Sequence, residues 1–242
     1  MAITLNRHAR TRKQPESLSA RAYTSIREKI LRGEFSLGAP LSRRRLAGEL
    51  GMSLVPVAEA LRRLEQEGLV ESRPRAGTRV RLPSAADIRE RFILREALES
   101  QAAREFAHRA DPAAREELQQ MGTHLDQLYT CCATENVDAG FLYSAHLFHM
   151  NFHLRIAEGA ACTLLRAAIE REQVLVFNWL FDTAAKRRSL PTGFHSALAA
   201  ALCSGDPVAA DAAMRAHVRY GIRSVTEAIL PAAPSEWREG RG

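Results

Sequence analysis

The sequence contains no apolar run near the roughly 20 residues that a membrane-spanning helix needs. Its first residues, MAITLNRHARTRK, lack the apolar core of a secretory signal. Only four cysteines are present, and Cys131, Cys132, Cys162 and Cys203 include no CxxC pair. These absences give no indication of a disulfide framework or a membrane partner, and they predict a protein of the reducing cytoplasm.

Positive charge and apolar residues are both plentiful. The 242 residues include 34 Lys+Arg against 28 Asp+Glu, a net charge of +6, and 46% are hydrophobic. This length suits one large or two ordinary domains. A basic balance suits a polyanionic partner, although scattered surface charge would give the same total. Clustering favours a nucleic acid, because residues 7–13 hold four Lys/Arg and residues 43–45 are all arginine.

Residues 41–81 have the pattern of a helix-turn-helix followed by a hairpin. A short helix ends at Gly51, and Ser53 is a suitable cap for the next helix. In that second helix, apolar residues recur at i, i+3, i+4 and i+7, namely Val57, Ala60, Leu61 and Leu64. Two β-prone segments follow at 69–72 and 78–81, joined by a basic turn. Such a unit places its second helix in the major groove and its hairpin, the wing, on the neighbouring backbone.

Many positions over about sixty residues match a known family in register. They are Ala22, Tyr23, Ile26, Arg27, Ile30, Leu31, Gly33, Leu41, Leu46, Ala47, Leu50, Gly51, Ser53, Pro56, Val57, Glu59, Ala60, Leu61, Leu64, Glu67, Gly68, Leu69, Val70 and Gly77. On these positions the segment resembles the N-terminal winged helix of GntR-type bacterial transcription regulators. The resemblance implies double-stranded operator DNA as a partner. The chain departs from the family at Leu54 and Ala58, where the family usually has arginines that read guanine.

The predicted DNA-binding residues lie on the outward face of the helix-turn-helix and on the wing. They are Arg43, Arg44, Arg45, Ser53, Leu54, Val55, Ala58, Arg62, Arg73, Arg75, Gly77 and Thr78. Arg62 can reach a phosphate, whereas Leu54 and Ala58 offer only apolar contact, for instance with thymine methyl groups. We therefore expect base reading to depend less on arginine–guanine pairs than is usual in the resembled family.

Beyond residues 82–84 the sequence shows only helical periodicity. Ser84 and Asp87 have the spacing of a capping box, which predicts the start of a new helix. A first helix is predicted at 19–32 and a loop at 35–40, and the later helices are predicted at 85–109, 112–132, 137–158, 161–184, 191–204 and 206–229. The predicted fold class is mostly α: an N-terminal winged helix-turn-helix with a small β-hairpin wing, plus a C-terminal all-α helical bundle.

The helix at 85–109 carries two charged residues on an apolar stripe. Its inward positions are Ile88, Phe92, Arg95, Glu99, Ala102 and Phe106. A buried charge is costly unless it is paired. Either Arg95 and Glu99 form an i,i+4 pair at the edge of the stripe, or Arg95 faces a cavity that takes an anion. The sequence leaves both interpretations open.

Four histidines lie on apolar faces of the later helices. His149 and His153 are i,i+4 neighbours, so both can point at one ion, and His195 and His217 lie on inward stripes. A lone histidine in such a place is more often a satisfied core residue. Several neutral imidazoles that converge in a bundle suit a divalent metal, with Zn²⁺ or Ni²⁺ the best match. His146 is interpreted as an outer or surface residue.

A second set of positions matches the sensing half of the same regulators. It comprises Arg95, Leu98, Glu99, Phe152, His153, His195, Leu198, Ala201, Ala213, Met214 and His217. On these positions the helical half resembles the FCD-type ligand-sensing domain of the FadR branch. The resemblance implies a metal held by one aspartate and three histidines, with His149 here at the aspartate position. It also implies a small carboxylate effector, for which Arg95 is the candidate anchor.

The sequence thus predicts a homodimeric transcription regulator, a repressor in the usual mode of the resembled family, and not an enzyme. A dimer is expected because one recognition helix reads few base pairs. The predicted divisions are a disordered basic arm, a DNA-binding unit, a ligand-sensing and dimerisation domain, and a disordered tail, at 1–16, 17–82, 83–231 and 232–242.

Two alternatives remain open. In one, the protein binds DNA but its metal is purely structural and no effector exists. In the other, the helical half is a metal-dependent hydrolase. Hydrolysis needs a general base near the metal, and no glutamate stands beside the histidine pair as in HExxH, which disfavours the second alternative.

Overall fold

The computed structural model describes residues 16–75, 77–134, 136–183 and 190–229, the side chains of 174–183 and 224–229 excepted. Apart from residue 16, the predicted basic arm lies outside these described residues, as does the predicted tail. Within the described ranges the chain forms nine helices and one three-stranded sheet. No helix among them is both long and apolar enough to cross a membrane.

The N-terminal part is a winged helix-turn-helix, as predicted. Its elements are α1 Leu18–Leu31, β1 Pro40–Leu41, α2 Arg43–Leu50, α3 Leu54–Gln66, β2 Val70–Arg73 and β3 Gly77–Val80. The sheet is antiparallel in the order β1-β3-β2, with Val70 opposite Val80 in the wing. The strand β1 lies partly in the segment that was expected to be a loop, because two residues are too short to show a strand periodicity.

The recognition helix α3 is fixed by its apolar face. Val57 and Leu64 are fully buried against α1, whose Ile26 and Ile30 are buried in the same core. Gly51 ends α2 in the left-handed conformation at φ 62°, which allows the tight turn into α3. The opposite face of α3 is therefore left free to contact a partner.

The six C-terminal helices agree with the prediction to within three residues at each end. They are α4 Ala85–Arg109, α5 Pro112–Thr134, α6 Ala139–Gly159, α7 Thr163–Thr183, α8 Phe194–Cys203 and α9 Pro207–Ile229. The capping box that was predicted at the start of α4 is present, with Ser84 and Asp87 satisfying each other's backbone amides. Such a box fixes where the helix begins.

The helix α4 lies at the centre of the bundle and contacts α6, α7, α8 and α9. Every residue of its predicted stripe is buried, including Arg95 and Glu99. A close approach of α5 to α8 is allowed by Gly122, where an added Cβ would lie 2.9 Å from the His195 carbonyl oxygen. These packings bring the middle of α4 next to the helices that carry the four histidines.

The N-terminal winged helix and the C-terminal bundle contact each other near the start of α6. The guanidinium of Arg32, which caps α1, lies 4.8 Å from the centre of the Tyr143 ring. A cation held over an aromatic face is attracted by the ring's electrons. The helix α1 also contacts α7, and Arg81 is ion-paired with Asp87 across the joint.

Candidate metal centre and nucleic-acid interface

Three ring nitrogens from two helices converge in the middle of the bundle. The Nε2 atoms of His149, His153 and His217 are separated by 3.0 Å (149–153), 3.2 Å (153–217) and 3.4 Å (149–217). A metal with nitrogen ligands at about 2.0–2.1 Å places them about 3.0 Å apart at right angles and about 3.4 Å apart at tetrahedral angles. The triangle therefore has the size of one face of a coordination shell.

The protonation of these rings suits a cation. Burial lowers the pKa of His149 and His217 well below the ordinary value, and repulsion from the neighbouring imidazoles lowers it further. Neutral imidazole is the form that binds metal. Each neutral ring has one N–H, so three Nε2 atoms that face one another cannot all be satisfied by mutual hydrogen bonds. A positive ion between them would relieve the lone-pair repulsion, and the donor set fits a divalent metal.

Outer groups hold two of the rings by their other nitrogen. Glu99 Oε2 lies 2.8 Å from His153 Nδ1, and the Tyr129 hydroxyl lies 3.3 Å from His149 Nδ1. Burial would raise the pKa of Glu99, but Arg95 and His153 outweigh it, so this pKa lies well below its usual range. Partners of this kind fix which nitrogen faces the metal.

The fourth predicted ligand, His195, stands beside the triangle rather than in it. Its ring centre is 4.9 Å from that of His149 and 5.4 Å from that of His217. Among the described residues, however, the nitrogens that lie within 4.8 Å of one another belong only to the other three histidines. The triangle therefore contains three of the four predicted imidazoles, and His195 adjoins it with its Nδ1 3.1 Å from Asp126 Oδ1.

Asp126 also organises the start of α8. Its carboxylate accepts hydrogen bonds from the backbone amides of His195 and Ser196 and from the Ser196 hydroxyl, at 2.9, 3.0 and 2.7 Å. Burial opposes ionisation, but these bonds lower the pKa of Asp126. Burial also lowers the pKa of His195 to about 4, against the pull of Asp126. The sequence carries no signal for this contact, since 69 residues separate the partners.

Arg95 is paired with Glu99, as one interpretation held, and it also lies at a cavity. Arg95 Nε donates to Glu99 Oε1 at 2.7 Å, and the residue also lines a cavity of about 110 Å³. The cavity is walled by His149, His195 and His217 and by three aromatic rings, Tyr129, Phe194 and Tyr220. His146 lines it too, and its Nδ1 donates to the Leu142 carbonyl at 2.8 Å. A cationic side chain and two members of the imidazole triangle, His149 and His217, thus line one small space.

Most of the predicted DNA-binding residues are exposed to solvent. Those exposed are Arg43, Arg44, Arg45, Ser53, Leu54, Val55, Arg62, Arg73, Arg75 and Gly77, and Ala58 is half-buried. Leu54 and Val55 are 51% and 66% exposed although they are apolar. Thr78 is the exception at 5% exposure, because the alternation of β3 turns it inward, where its hydroxyl lies 3.0 Å from that of Ser72. Its side chain does not belong to the exposed surface.

Comparison with known proteins agrees with this architecture. Residues 18–80 match the family described as bacterial regulatory proteins, gntR family, and residues 90–220 match the FCD domain. The HTH-type transcriptional repressor RspR of Escherichia coli K12 is 25% identical over 219 residues, which cover 88% of this chain and 90% of that protein.

Two further similarities are informative about the separate parts and the fold. A probable D-xylose utilization operon transcriptional repressor of Paenarthrobacter nicotinovorans is 45% identical over 75 residues, 31% of this chain, and the match spans only 33% of that protein. The solved structure of Escherichia coli McbR/YncC superposes with a TM-score of 0.70 at 22% identity, covering 87% of this chain and 98% of that one. This likeness shows a common fold. The chain belongs to the GntR family of bacterial regulatory proteins and is a DNA-binding transcription regulator with a C-terminal FCD domain.

Proposed function

We propose that the chain is a homodimeric repressor whose binding to operator DNA is modulated by a small carboxylate at a divalent metal. The observation that carries this proposal is the triangle of Nε2 atoms beside the cavity that Arg95 lines. In this proposal, residues 17–82 bind DNA and residues 83–231 sense the effector and dimerise.

The metal is held by His149, His153 and His217, with His195 as a fourth ligand from the cavity wall. When bound, it supplies a positive charge that attracts a carboxylate oxygen. The three converging donors are neutral imidazoles, which suit Zn²⁺ and Ni²⁺ better than Mn²⁺ or Mg²⁺. With no anionic side chain in the triangle, the full charge of the ion is left for the effector.

The effector is a small acid because the cavity is small. A volume of about 110 Å³ lies below the roughly 300–1,000 Å³ of pockets that take drug-sized ligands. Arg95 Nε donates to Glu99, and the remaining guanidinium donors of Arg95 anchor the anion. Aromatic walls on the remaining sides favour a compact molecule with little further polarity.

The DNA partner is a two-fold operator. Two copies of α3 read two half-sites, and this symmetry doubles the base contacts. Two of the relatives described above are named as repressors, which supports the repressor mode. Effector and operator then influence each other through the relative placement of the two winged helices, and the coupling is reciprocal.

The direct experiment measures metal and operator binding on the full chain. Metal content after purification and titration with Zn²⁺ and Ni²⁺ establishes the first half of the proposal. Operator affinity, for DNA selected by the protein from a random pool, is then measured against a panel of small carboxylates with and without metal. An operator affinity that no acid changes in the metal-loaded protein contradicts the sensing role.

The burial of the triangle supports a second candidate function, in which the metal is structural. His153 and His217 are almost fully buried, as ligands of structural sites usually are. In that case chelation unfolds the helical bundle, and no carboxylate shifts the melting temperature of the metal-loaded protein. A melting temperature that rises with one acid only when the metal is present supports the sensor instead.

A further inference from the structure

One carboxylate connects the arginine and the metal-facing imidazoles. Glu99 is only 2% exposed, and its two oxygens contact different groups. Oε1 accepts from Arg95 Nε at 2.7 Å, and Oε2 lies 2.8 Å from His153 Nδ1. In the described part of the chain, neither Oε2 nor His153 Nδ1 has a hydrogen-bond partner elsewhere. These two buried atoms are each other's ion-pair neighbours, at a contact that is not aligned as a hydrogen bond.

We propose that Glu99 is a positioning residue that sets the tautomer of His153 and thereby makes its Nε2 a metal ligand. This inference rests on the proposed function, because it concerns the same metal. Glu99 also connects Arg95, the proposed anchor of the anion, with His153, the proposed metal ligand, because both contact its carboxylate.

The effect of Glu99 depends on which ring nitrogen of His153 carries the hydrogen. An ionised carboxylate only accepts hydrogen bonds, and a neutral imidazole has one N–H and one lone pair. If the hydrogen sits on Nδ1, it lies on the side of the ring that is 2.8 Å from Glu99 Oε2, and the Nε2 lone pair points into the triangle. The other tautomer would place a lone pair against the carboxylate and would leave Nε2 without the lone pair that a metal ligand needs. Only the first tautomer is compatible with both contacts of the ring.

Glu99→Gln tests the proposal because Arg95 dictates how the new amide is oriented. The guanidinium has donors only, so the amide oxygen stays with Arg95 and the amide NH₂ faces His153 Nδ1. Nδ1 must then accept, which moves the ring hydrogen to Nε2 and removes the ligand lone pair. The side chain keeps its shape and its bond to Arg95, while His153 loses the tautomer that binds metal.

The expected result is a 10–100-fold loss of Zn²⁺ or Ni²⁺ affinity in Glu99→Gln, measured by chelator competition on the full chain. Glu105→Gln is the matched control. It lies on the same helix and also accepts from an arginine, Arg109 at 2.6 Å, but it lies outside the metal site. Its metal affinity should equal that of the wild type. Circular dichroism and thermal unfolding establish that both variants are folded.

A second measurement needs no variant and no metal. Nitrogen-15 spectra of histidine-labelled, metal-free protein distinguish the two tautomers, with the His153 signal assigned from its loss in His153→Ala. We expect the hydrogen on Nδ1 in the wild type, and in folded Glu99→Gln we expect it on Nε2. A hydrogen on Nε2 in the wild type overturns the proposal even if Glu99→Gln fails to fold.

The outcomes separate the two levels of inference. A wild type that binds neither metal contradicts the proposed function, while the nitrogen spectra still decide the role of Glu99 in setting the tautomer. A wild type that binds metal, with Glu99→Gln folded and of equal affinity, overturns the role of Glu99 and leaves the metal site intact.

Discussion

His149 and His153 present their Nε2 atoms 3.0 Å apart from successive turns of one helix. The backbone of α6 holds this pair at ligand spacing whatever the rest of the bundle does, because i and i+4 side chains lie on the same face. Only the third nitrogen, from His217 on α9, depends on tertiary packing. Two of the three nitrogens are therefore placed by one helix, and the position of the third depends on how α9 packs against α6.

Removal of His153 should abolish tight metal retention. Loss of a ligand is expected to exceed the 10–100-fold cost of losing an outer partner, so His153→Ala should lower Zn²⁺ or Ni²⁺ affinity by more than about 100-fold. His146→Ala is the control, since this ring lies on the same helix but outside the triangle and bonds to the Leu142 carbonyl. Titration calorimetry on both variants gives the comparison, and equal losses would contradict the assigned ligands.

Replacement of His149 by aspartate should change which metal is preferred. The aspartate restores the donor of the resembled family and adds a negative charge, which favours harder ions. We expect the ratio of Ni²⁺ to Mn²⁺ affinity to fall by about tenfold or more in His149→Asp. Competition between the two ions, followed by metal analysis of the washed protein, measures this ratio. An unchanged ratio would show that residue 149 is not a ligand.

The Arg95–Glu99 pair should be strongly coupled in stability. Both side chains are buried, so each single change to alanine leaves an unpaired charge and should cost about 3–5 kcal/mol. The double variant should be less destabilised than the sum of the singles by about 1–3 kcal/mol. Urea unfolding provides the free energies of unfolding. The exposed pair Glu105–Arg109, at the same i,i+4 spacing, should show a far smaller coupling, because solvent screens both charges.

Gly122 should be required for the contact between α5 and α8. A Cβ at this position meets backbone, the His195 carbonyl oxygen at 2.9 Å, so the helices must move apart. Gly122→Ala should destabilise the fold by about 1–3 kcal/mol. Gly48→Ala, in α2, is the control, because nothing lies within 4 Å of the added carbon. It should be neutral or stabilising by up to about 1 kcal/mol in the same thermal unfolding assay.

The exposed apolar start of α3 should read thymine methyl groups. In selected operator DNA, replacing a contacted thymine by uracil removes one methyl and should weaken binding by about fourfold, from about 0.8 kcal/mol per buried carbon. Leu54→Ser should make binding less sensitive to that replacement, because Leu54 is an exposed apolar residue predicted to contact the methyl group. Arg62→Ala should instead weaken binding to all sequences and lower the salt slope by about one. Operators dominated by guanines, with no effect of uracil, would contradict this reading.

The local features of the fold could be predicted from the sequence. The apolar stripe of α4 and the capping pair Ser84–Asp87 follow from spacing alone, and both are present. The stripe also indicated that Arg95 and Glu99 face inward. The match between periodicity and burial is close because these helices are amphipathic over several turns.

The remaining features depend on contacts that no local pattern carries. Asp126 meets His195 across 69 residues, and the position of this imidazole beside the triangle of the other three depends on that contact. The burial of Thr78 depends on the register of β3 between two strands, one of them only two residues long. Glu99 was visible as a partner for Arg95, but its second oxygen and His153 could be connected only in three dimensions.

The contact between Arg32 and Tyr143 lies near one end of α6, and the histidines lie towards the other end. Tyr143 and His153 are ten residues apart on this helix, about 15 Å along its axis. If α6 tilts by about 4° about the end that carries His153, the Tyr143 ring moves by about 1 Å. Its distance to the Arg32 guanidinium then changes. Such a tilt would therefore change the contact between α6 and the end of α1, the first helix of the DNA-binding part.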